Sequence, residues 1–392
     1  MSPRVLFLDH TAVRGGAELY LLALAEAFRE TSHTLLFEEG PLLDDLEARG
    51  ASAQVLPAPA ALLNVRREGT GGHAAAALPA LIGLSLRVAG HAREHDVLFA
   101  NSQKSFVVAC LAGLLARRPV VWNLHDILSA DHFSSFNRWL VVRLANWCAH
   151  RVIANSEATQ QSFIAEGGRP DLVEVVYNGI DPSAFDAVTS PQSMLRDAVG
   201  LTLPPNAFLV GVFSRLAAWK GQHVLLEALS TLPDVHAMLV GDALFGEDHE
   251  YADALRQQAR QLGIEERVHF LGFRSDVPAL MKACDAIVHT SITPEPFGRV
   301  IVEGMLAGRP VVATRGGGAS EIVTDGINGR LVPPGKSAPL AAVLRNWQHA
   351  PDRTQTLARV ASQEARTRFT LDQQIEGVSR TIQSVIEERP GL

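Results

Sequence analysis

The 392-residue chain has few cysteines and no excess of positive charge. Its three cysteines (Cys110, Cys148 and Cys284) lie far apart and form no C-x-x-C pair, which excludes a disulfide framework and argues against a structural zinc site. With 35 Lys and Arg against 42 Asp and Glu, the formal net charge is −7. General nucleic-acid-binding proteins are usually basic, so no nucleic-acid partner is expected.

Long apolar runs are also lacking. The longest, from residue 74 to residue 90, has 17 residues and is interrupted by Pro79 and Gly83. A membrane-spanning helix needs about 20 apolar residues, so none is expected. The first apolar run, Val5–Leu8, is too short for a signal peptide. These features predict a cytoplasmic protein.

Short apolar runs alternate with amphipathic stretches along most of the chain, a pattern typical of parallel α/β sheets. The alternation breaks between residues 181 and 205, which contain four prolines and no strand pattern, so we interpret this stretch as a linker. The sequence predicts two doubly wound, Rossmann-like parallel-sheet domains facing a cleft, at residues 1–183 and 184–370. We also expect a C-terminal helix in residues 371–392. The sequence leaves open which domain it packs on, and crossing back to the first domain is one of the two possibilities.

Two predicted loops after strands carry residues suited to a phosphorylated ligand. Gly15 and Gly16 open a helix, and glycines at a helix N-terminus allow a phosphate to approach the backbone, although a plain helix cap explains them equally well. This turn is not G-x-G-x-x-G, so a dinucleotide cofactor is not expected. Arg215 and Lys220 share one loop, where a fork of donors and a point charge suit a diphosphate.

The most specific pattern is E-P-F-G-R-V-I-V-E, which places Glu295 before a predicted helix and Glu303 about one turn inside it. Two carboxylates in this arrangement can bind two sets of hydroxyl groups along one ligand. Glu303 lies among apolar residues in the sequence, so we expect it to have a partner, because burying an unpaired charge is costly.

Five motifs in chain order carry a family resemblance: G-G-A-E at residues 15–18, N-G-I-D at residues 178–181, Arg215 with Lys220, Glu295 with Glu303, and the glycine-rich stretch 316–329. Together they resemble the retaining glycosyltransferases of family 4, which have the GT-B fold. The resemblance implies transfer of a hexose-type sugar from a nucleotide-diphosphate donor, such as a UDP- or GDP-sugar, to a glycan or lipid-linked acceptor. It also suggests a role in surface polysaccharide or glycolipid biosynthesis.

The resemblance implies roles for four catalytic residues. Arg215 and Lys220 would bind the diphosphate and stabilise the departing negative charge. Glu295 would contact hydroxyl groups of the donor sugar. His125, in N-L-H-D at a predicted strand end, would lie near the donor sugar and the acceptor, although an ordinary polar loop histidine is the alternative.

The remaining implied residues bind the donor. Gly15 and Gly16 would approach the diphosphate from the first domain, and Glu303 would hold the ribose hydroxyls. Phe297 and Gly298 would contribute backbone N–H groups. The family needs no metal and the chain contains no D-x-D, so neither a metal nor a cofactor is expected.

Two alternatives remain open on the same architecture. A non-hydrolysing nucleotide-sugar 2-epimerase would bind the same donor but need no acceptor. The other alternative is a nucleotide-sugar-binding protein without turnover. The intact set of charged residues, Arg215, Lys220, Glu295 and Glu303, argues against it.

Charge is unevenly distributed in the first domain. Residues 60–151 contain ten basic and five acidic residues, which fits a lipid-linked or anionic acceptor at a membrane face. The aromatic-rich stretch from Phe133 to Trp147 includes Arg138 and Arg143 and predicts an amphipathic helix that can lie at a membrane interface. Burial of its apolar side in the core is the simpler interpretation.

Overall fold

The computed structural model describes residues 3–63, 77–191, 195, 200–204, 206–243 and 246–388. The chain divides into two compact units, one formed by Met1–Gly179 with Leu371–Leu392 and the other by Ile180–Thr370. Each unit is a parallel α/β sheet with helices on both faces, as the alternation of short apolar runs and amphipathic stretches predicts.

Within the described residues of the first unit, seven parallel strands form one sheet. They are β1 (Val5–Asp9), β2 (Ser32–Leu36), β3 (Ala53–Val55), β4 (Val97–Ala100), β5 (Val120–Leu124), β6 (Arg151–Ala154) and β7 (Val173–Val175). Their order across the sheet is β3-β2-β1-β4-β5-β6-β7. Every residue of the central strands β1, β4 and β5 is buried, because helices cover both faces of such a sheet.

The helices that cover this sheet follow the strands in the chain. They are α1 (Gly16–Ala27), α2 (Pro41–Ala48), α3 (Ala60–Leu63), α4 (Leu78–Ala92), α5 (Gln103–Ala116), α6 (Ser135–Cys148) and α7 (Glu157–Ala165).

The second unit repeats this architecture in the part that the structure describes. Its strands are β8 (Phe208–Phe213), β9 (Val235–Val240), β10 (Val268–Gly272), β11 (Ala286–His289), β12 (Val311–Thr314) and β13 (Arg330–Val332), in the order β10-β9-β8-β11-β12-β13. Its helices are α8 (Ser183–Asp186), α9 (Gln222–Leu229), α10 (Gly246–Gln261), α11 (Val277–Ala283), α12 (Arg299–Leu306), α13 (Ala319–Ile322), α14 (Ser337–His349) and α15 (Pro351–Arg368).

The stretch interpreted as a linker begins as a packed part of the second unit. The Lys282 ammonium donates hydrogen bonds of 2.8 and 2.9 Å to the backbone oxygens of Phe185 and Val188. Asp186 also forms an ion pair with Arg366. Proline content therefore indicates the absence of a strand here, but not the absence of tertiary contacts.

Strand order reverses at a corresponding point in both sheets. β1 lies between β2 and β4, and β8 lies between β9 and β11. Doubly wound sheets bind ligands outside the carboxyl ends of the two strands at this reversal. The loops after β1 and β4, and those after β8 and β11, are therefore the places where binding residues are expected.

Helix α6 has apolar residues on two sides. Its core side is buried and consists of Val141, Val142 and Ala145. Its exposed side, which we call the aromatic stripe, consists of Phe136, Trp139, Arg143 and Trp147. The three aromatic side chains are 39%, 56% and 87% exposed in that order, so burial in the core explains only one side of this helix. No helix among the described residues is long and apolar enough to cross a membrane.

The last helix, α16 (Leu371–Glu387), packs on the first unit. Its buried residues Val378, Ile382 and Val385 join the same hydrophobic cluster as Val5 and Phe7 of β1. The helix start is fixed by Gln374, whose Oε1 accepts a 2.7 Å hydrogen bond from the backbone N–H of Gly179. The C-terminal residues therefore complete the core of the N-terminal sheet.

Replacing Gly377 of α16 with valine should destabilise the first unit by about 1–3 kcal/mol through overpacking. A Cβ at this position would lie 2.8 Å from Cγ1 of Val176, so the helix has to move away from the sheet. Denaturant unfolding measures the loss. Glu376→Val, at the exposed neighbouring position, is the matched control, and an equal loss in both variants would contradict close packing at Gly377.

Candidate active site

The loop after β8 is held by a buried glutamine and a glycine. Gln222 at the start of α9 is fully buried, and its Nε2 donates a 2.9 Å hydrogen bond to the backbone oxygen of Arg215. Gly221 has a φ of 69°, and a Cβ there would lie 2.2 Å from the backbone oxygen of Thr290. This position therefore requires glycine. These contacts hold Arg215 and Gly221 in place, and the short 3₁₀ turn Ala218–Lys220 lies between those two residues.

Lys220 and Glu295 form an ion pair at this loop. The Lys220 ammonium lies 2.8 Å from both carboxylate oxygens of Glu295, and the two side chains are only 14% and 13% exposed. The ammonium is also 4.1 Å from the ring centre of Trp219, and the Arg215 guanidinium carbon is 6.0 Å from the same ring. Arg215 Nε lies 3.5 Å from a carboxylate oxygen of Asp248. The fold thus brings both predicted cations to one aromatic ring.

Further polar contacts orient the Glu295 carboxylate. Ser291 Oγ donates a 2.9 Å hydrogen bond to it, and His289 Nε2 lies 3.3 Å from the same oxygen. Burial alone raises the pKa of Glu295, but the charge of Lys220 and the hydrogen bond from His289 outweigh burial and lower the pKa well below its ordinary value. Glu295 is therefore an ionised group that only accepts hydrogen bonds, which suits it to hydroxyl donors.

The triple-glycine turn after β12 packs against Glu295 itself. Gly317 has a φ of 55°, and a Cβ there would lie 2.0 Å from the backbone oxygen of Glu295. The next residue, Gly318, donates its N–H to that oxygen at 2.9 Å. The backbone that comes close to these glycines is therefore, at least in part, the protein's own backbone at Glu295.

Glu303 has the partner that its sequence context predicts. Its carboxylate lies 3.5 Å from the Arg299 guanidinium, one turn earlier on α12, and its side chain is 21% exposed. Gly298, with a φ of 96°, is the N-cap of this helix. The Phe297 side chain is buried with its ring edge against Phe369, so only its backbone is suited to contact a ligand.

In the first unit, His125 belongs to a buried polar network at the carboxyl ends of β1, β4 and β5. Asn101 Nδ2 donates a 2.6 Å hydrogen bond to Asp9, and its Oδ1 accepts one of 3.0 Å from Asn123 Nδ2. His125 Nε2 lies 3.0 Å from the same Asn101 oxygen. The ring edge of Tyr20 contacts the imidazole at 5.2 Å between centroids. The imidazole is therefore fixed in orientation.

Glu18 folds back over Gly15 at the start of α1. A Cβ at position 15 would lie 2.4 Å from the Glu18 carboxyl oxygen, and the carboxyl accepts a hydrogen bond from the Gly15 backbone N–H, as in a capping box. Gly16 is the first residue of the helix. Burial, with a smaller contribution from the charge of Asp9, raises the pKa of Glu18 to about 8. Contact of Gly15 and Gly16 with a diphosphate stays a prediction.

Several residues of these two sites received no role from the sequence. We consider four of them, Glu18, Asn101, His289 and Ser291. Three of them end a strand or follow one closely, which is the signal that identifies them. Among the described residues, no group of three or more His, Cys, Asp or Glu is arranged to hold a metal ion. Metal independence stays a prediction.

Two family models together match most of the chain. Residues 196–368 match the glycosyl transferases group 1 model, and residues 15–179 match a glycosyl transferase 4-like domain. The chain belongs to the group 1 glycosyltransferases. The GT-B fold class predicted from the sequence is confirmed, as is the prediction of a glycosyltransferase.

Particular relatives differ in how much of the chain they match. The crystal structure of Anabaena HepE in complex with UDP-glucose has 44% sequence identity and a TM-score of 0.88, covering 97% of this chain and all of that one. The D-inositol 3-phosphate glycosyltransferase of Mycolicibacterium gilvum is 35% identical over 47% of this chain and 41% of its own length. LpsE of Rhizobium meliloti, a lipopolysaccharide core biosynthesis glycosyltransferase, is 36% identical over 38% of this chain and 42% of its own length. The chain thus spans less than half the length of these two curated relatives.

Glu18→Gln should reduce the loss of stability as pH rises from about 5 to about 8. Folded Glu18 keeps its proton in this window, whereas the unfolded chain releases it near the ordinary pKa of 4.5, so the free energy of unfolding falls as pH rises. Glutamine keeps the capping acceptor but does not titrate. Thermal unfolding at both ends of the window measures the difference, with exposed Glu47→Gln as the control. Equal pH slopes in wild type and Glu18→Gln would contradict a protonated Glu18.

Proposed function

We propose that this chain is a retaining, metal-independent glycosyltransferase of family 4 that transfers a hexose from a UDP-sugar, with UDP-glucose as the first candidate. The main support is the 44% identity to HepE over 97% of the chain, because HepE was crystallised with UDP-glucose. The paired Lys220 and Glu295 at the strand-order reversal of the second unit add support from the chain's own geometry.

In this proposal the second unit binds the donor. Arg215 and Lys220 bind the diphosphate and stabilise the negative charge that develops on it as the sugar leaves. The ionised Glu295 accepts hydrogen bonds from sugar hydroxyls, and its pairing with Lys220 holds both groups in position before the donor arrives. Glu303, oriented by Arg299, accepts hydrogen bonds from the ribose hydroxyls.

Backbone groups and residues of the first unit have the remaining proposed roles. The N–H groups of Phe297 and Gly298 contact the donor sugar, and Gly15 and Gly16 approach the diphosphate. His125, held by Asn101, faces the donor sugar and the acceptor. The leaving phosphate oxygen takes the acceptor proton on the same face of the sugar, so no carboxylate nucleophile is assigned, in contrast to a retaining glycosidase.

We propose a glycan or lipid-linked acceptor in surface polysaccharide or glycolipid synthesis at the cytoplasmic face of a membrane. The aromatic stripe of α6 supports membrane contact through the first unit. Tryptophan is enriched at membrane interfaces, and an arginine beside it is attracted to anionic headgroups. Three exposed aromatic rings around Arg143 on one side of a helix have this composition.

UDP-glucose should bind the purified protein and be turned over, and Arg215→Gln should lower kcat by about 100-fold through loss of charge stabilisation. Arg215 suits this test because its side chain is 30% exposed and its replacement leaves the Lys220–Glu295 pair intact. Glutamine keeps a hydrogen-bond donor for Asp248, the buried carboxylate that Arg215 contacts. Calorimetric titration of UDP and GDP, and a coupled assay of UDP release, give the two readouts. The control is Lys336→Ala, at an exposed position of the same unit.

The same reaction separates the alternatives. Transfer that persists in EDTA and yields a product with the donor's anomeric configuration supports a retaining, metal-independent enzyme. An inverted product contradicts retention. A sugar epimer formed without any acceptor supports the 2-epimerase, and binding without turnover supports the nucleotide-sugar-binding protein.

The protein should float with phosphatidylglycerol vesicles at low salt but not with phosphatidylcholine vesicles. Binding should weaken by about tenfold or more in Trp139→Ser/Trp147→Ser, because both exposed rings leave the interface. Phe273→Ser, which removes an aromatic ring of the second unit that is 59% exposed, is the control. Equal flotation of all variants would contradict docking through the aromatic stripe.

A further inference from the structure

Two of the three cysteines meet inside the first unit. Cys110 lies on α5 and Cys148 is the last residue of α6, and both side chains pack in the same hydrophobic cluster. The two thiol groups form a hydrogen bond with each other, and both are free thiols. The fold thus brings together two cysteines that lie far apart in the sequence.

The two thiols have different surroundings. Cys110 is only 4% exposed, whereas Cys148 is half-buried at the end of its helix. At Cys148 the hydrogen bond from Cys110 outweighs burial and lowers the pKa to about 7. At Cys110 burial raises the pKa well above its ordinary value. Cys148 is therefore the sulfur that ionises at neutral pH and that a small reagent can reach, and Cys110 is the hydrogen-bond donor.

Cys284 in the second unit has neither property. It is fully buried, and its Sγ donates a 3.3 Å hydrogen bond to the backbone oxygen of Leu280. Burial raises the pKa of this thiol well above its ordinary value. Thiolates rather than thiols attack peroxides, so Cys284 is expected to be inert. The chain therefore contains a built-in reference for the reactivity of the pair.

We propose that Cys110 and Cys148 form a reversible disulfide in response to hydrogen peroxide, with Cys148 as the attacking thiol and Cys110 as the resolving thiol. The Cys148 thiolate attacks one peroxide oxygen and the O–O bond breaks. Cys148 becomes a sulfenic acid, and the departing hydroxide is protonated to water. The Cys110 sulfur then attacks the Cys148 sulfur, the S–O bond breaks, and the Cys110 proton leaves with the hydroxide as a second water molecule. Two thiols are thereby oxidised and one peroxide is reduced.

The position of Cys148 favours closure of this bond. The sulfur atoms of a disulfide lie about 2.05 Å apart, and hydrogen-bonded thiols already face each other. Cys148 belongs to the last turn of α6, and the next residue, Ala149, has an extended backbone with a φ of −76° and a ψ of 138°. The movement that brings the sulfurs together therefore falls at a helix end. The bond ties this end, beside Trp147 of the aromatic stripe, to α5.

Peptide mapping of the peroxide-treated wild-type protein tests this pairing. Remaining thiols are alkylated with N-ethylmaleimide in denaturant without reductant. Trypsin then releases each cysteine in a separate fragment, residues 105–117 for Cys110, residues 144–151 for Cys148 and residues 283–299 for Cys284. We expect the first two fragments to be joined by a disulfide in monomeric protein, while Cys284 is alkylated. Dithiothreitol should restore both thiols.

Three substitutions assign the roles. Cys148→Ser should abolish the disulfide and slow the loss of the Cys110 thiol by at least about tenfold, because Cys110 is not a thiolate. Cys110→Ser should leave a sulfenic acid on Cys148 that dimedone traps. Cys284→Ala is the matched control and should form the disulfide at the wild-type rate. Melting temperatures show whether each variant is folded.

Three results in the wild-type protein would overturn the proposal. The first is a Cys148 thiol that survives the time in which free glutathione is fully oxidised in a parallel reaction. The second is oxidation of Cys148 to the sulfinic acid without joined fragments. The third is joined fragments that come from two copies of the chain, seen as a dimer on a non-reducing gel. These readouts need no variant, so the test holds even where a serine variant fails to fold.

Discussion

The ion pair between Lys220 and Glu295 determines how the second unit arranges its loops. Removing two charges from water costs several kcal/mol for each, and only close contact and additional hydrogen bonds offset that cost. Here the offset comes from two 2.8 Å contacts, from Ser291 and from the Trp219 ring. The pair joins the loops after β8 and β11, and the glycine turn after β12 closes on the backbone of Glu295. Residues proposed to bind the donor therefore also hold the loops together.

The two units have the same reversal of strand order but different electrostatics beside it. Both place a buried glutamate near the strand-order reversal, but Glu295 lies against a lysine and Glu18 lies near Asp9. Burial favours the protonated form of both carboxyl groups, and the charge of Asp9 adds to this effect at Glu18, whereas Lys220 and His289 outweigh it at Glu295. One carboxyl group is therefore ionised while the other keeps its proton at neutral pH. A single sheet architecture thus provides an ionised carboxylate in one unit and a protonated carboxyl group in the other.

The sequence was sufficient for the fold and for part of the site. The length and spacing of the apolar runs predict two parallel sheets, because buried strands are short apolar runs. The E-x7-E spacing places Glu303 on α12. Contacts between distant residues were not predictable in the same way. Lys220 and Glu295 are 75 residues apart, and nothing in either motif indicates that they pair. Similarly, the spacing of apolar residues along α6 does not indicate which of its two apolar sides faces the core, since both sides have helical spacing.

The return of α16 to the first unit has a consequence for synthesis on the ribosome. The hydrophobic cluster that includes Ile153 of β6 belongs to a sheet that is made before the second unit, but part of its cover is α16, which is made after the second unit. While the second unit is being translated, the part of this cluster that packs against α16 is uncovered. Exposed apolar surface of this kind promotes aggregation and attracts chaperones. The nascent first unit therefore needs protection from aggregation until α16 has emerged and packed against it.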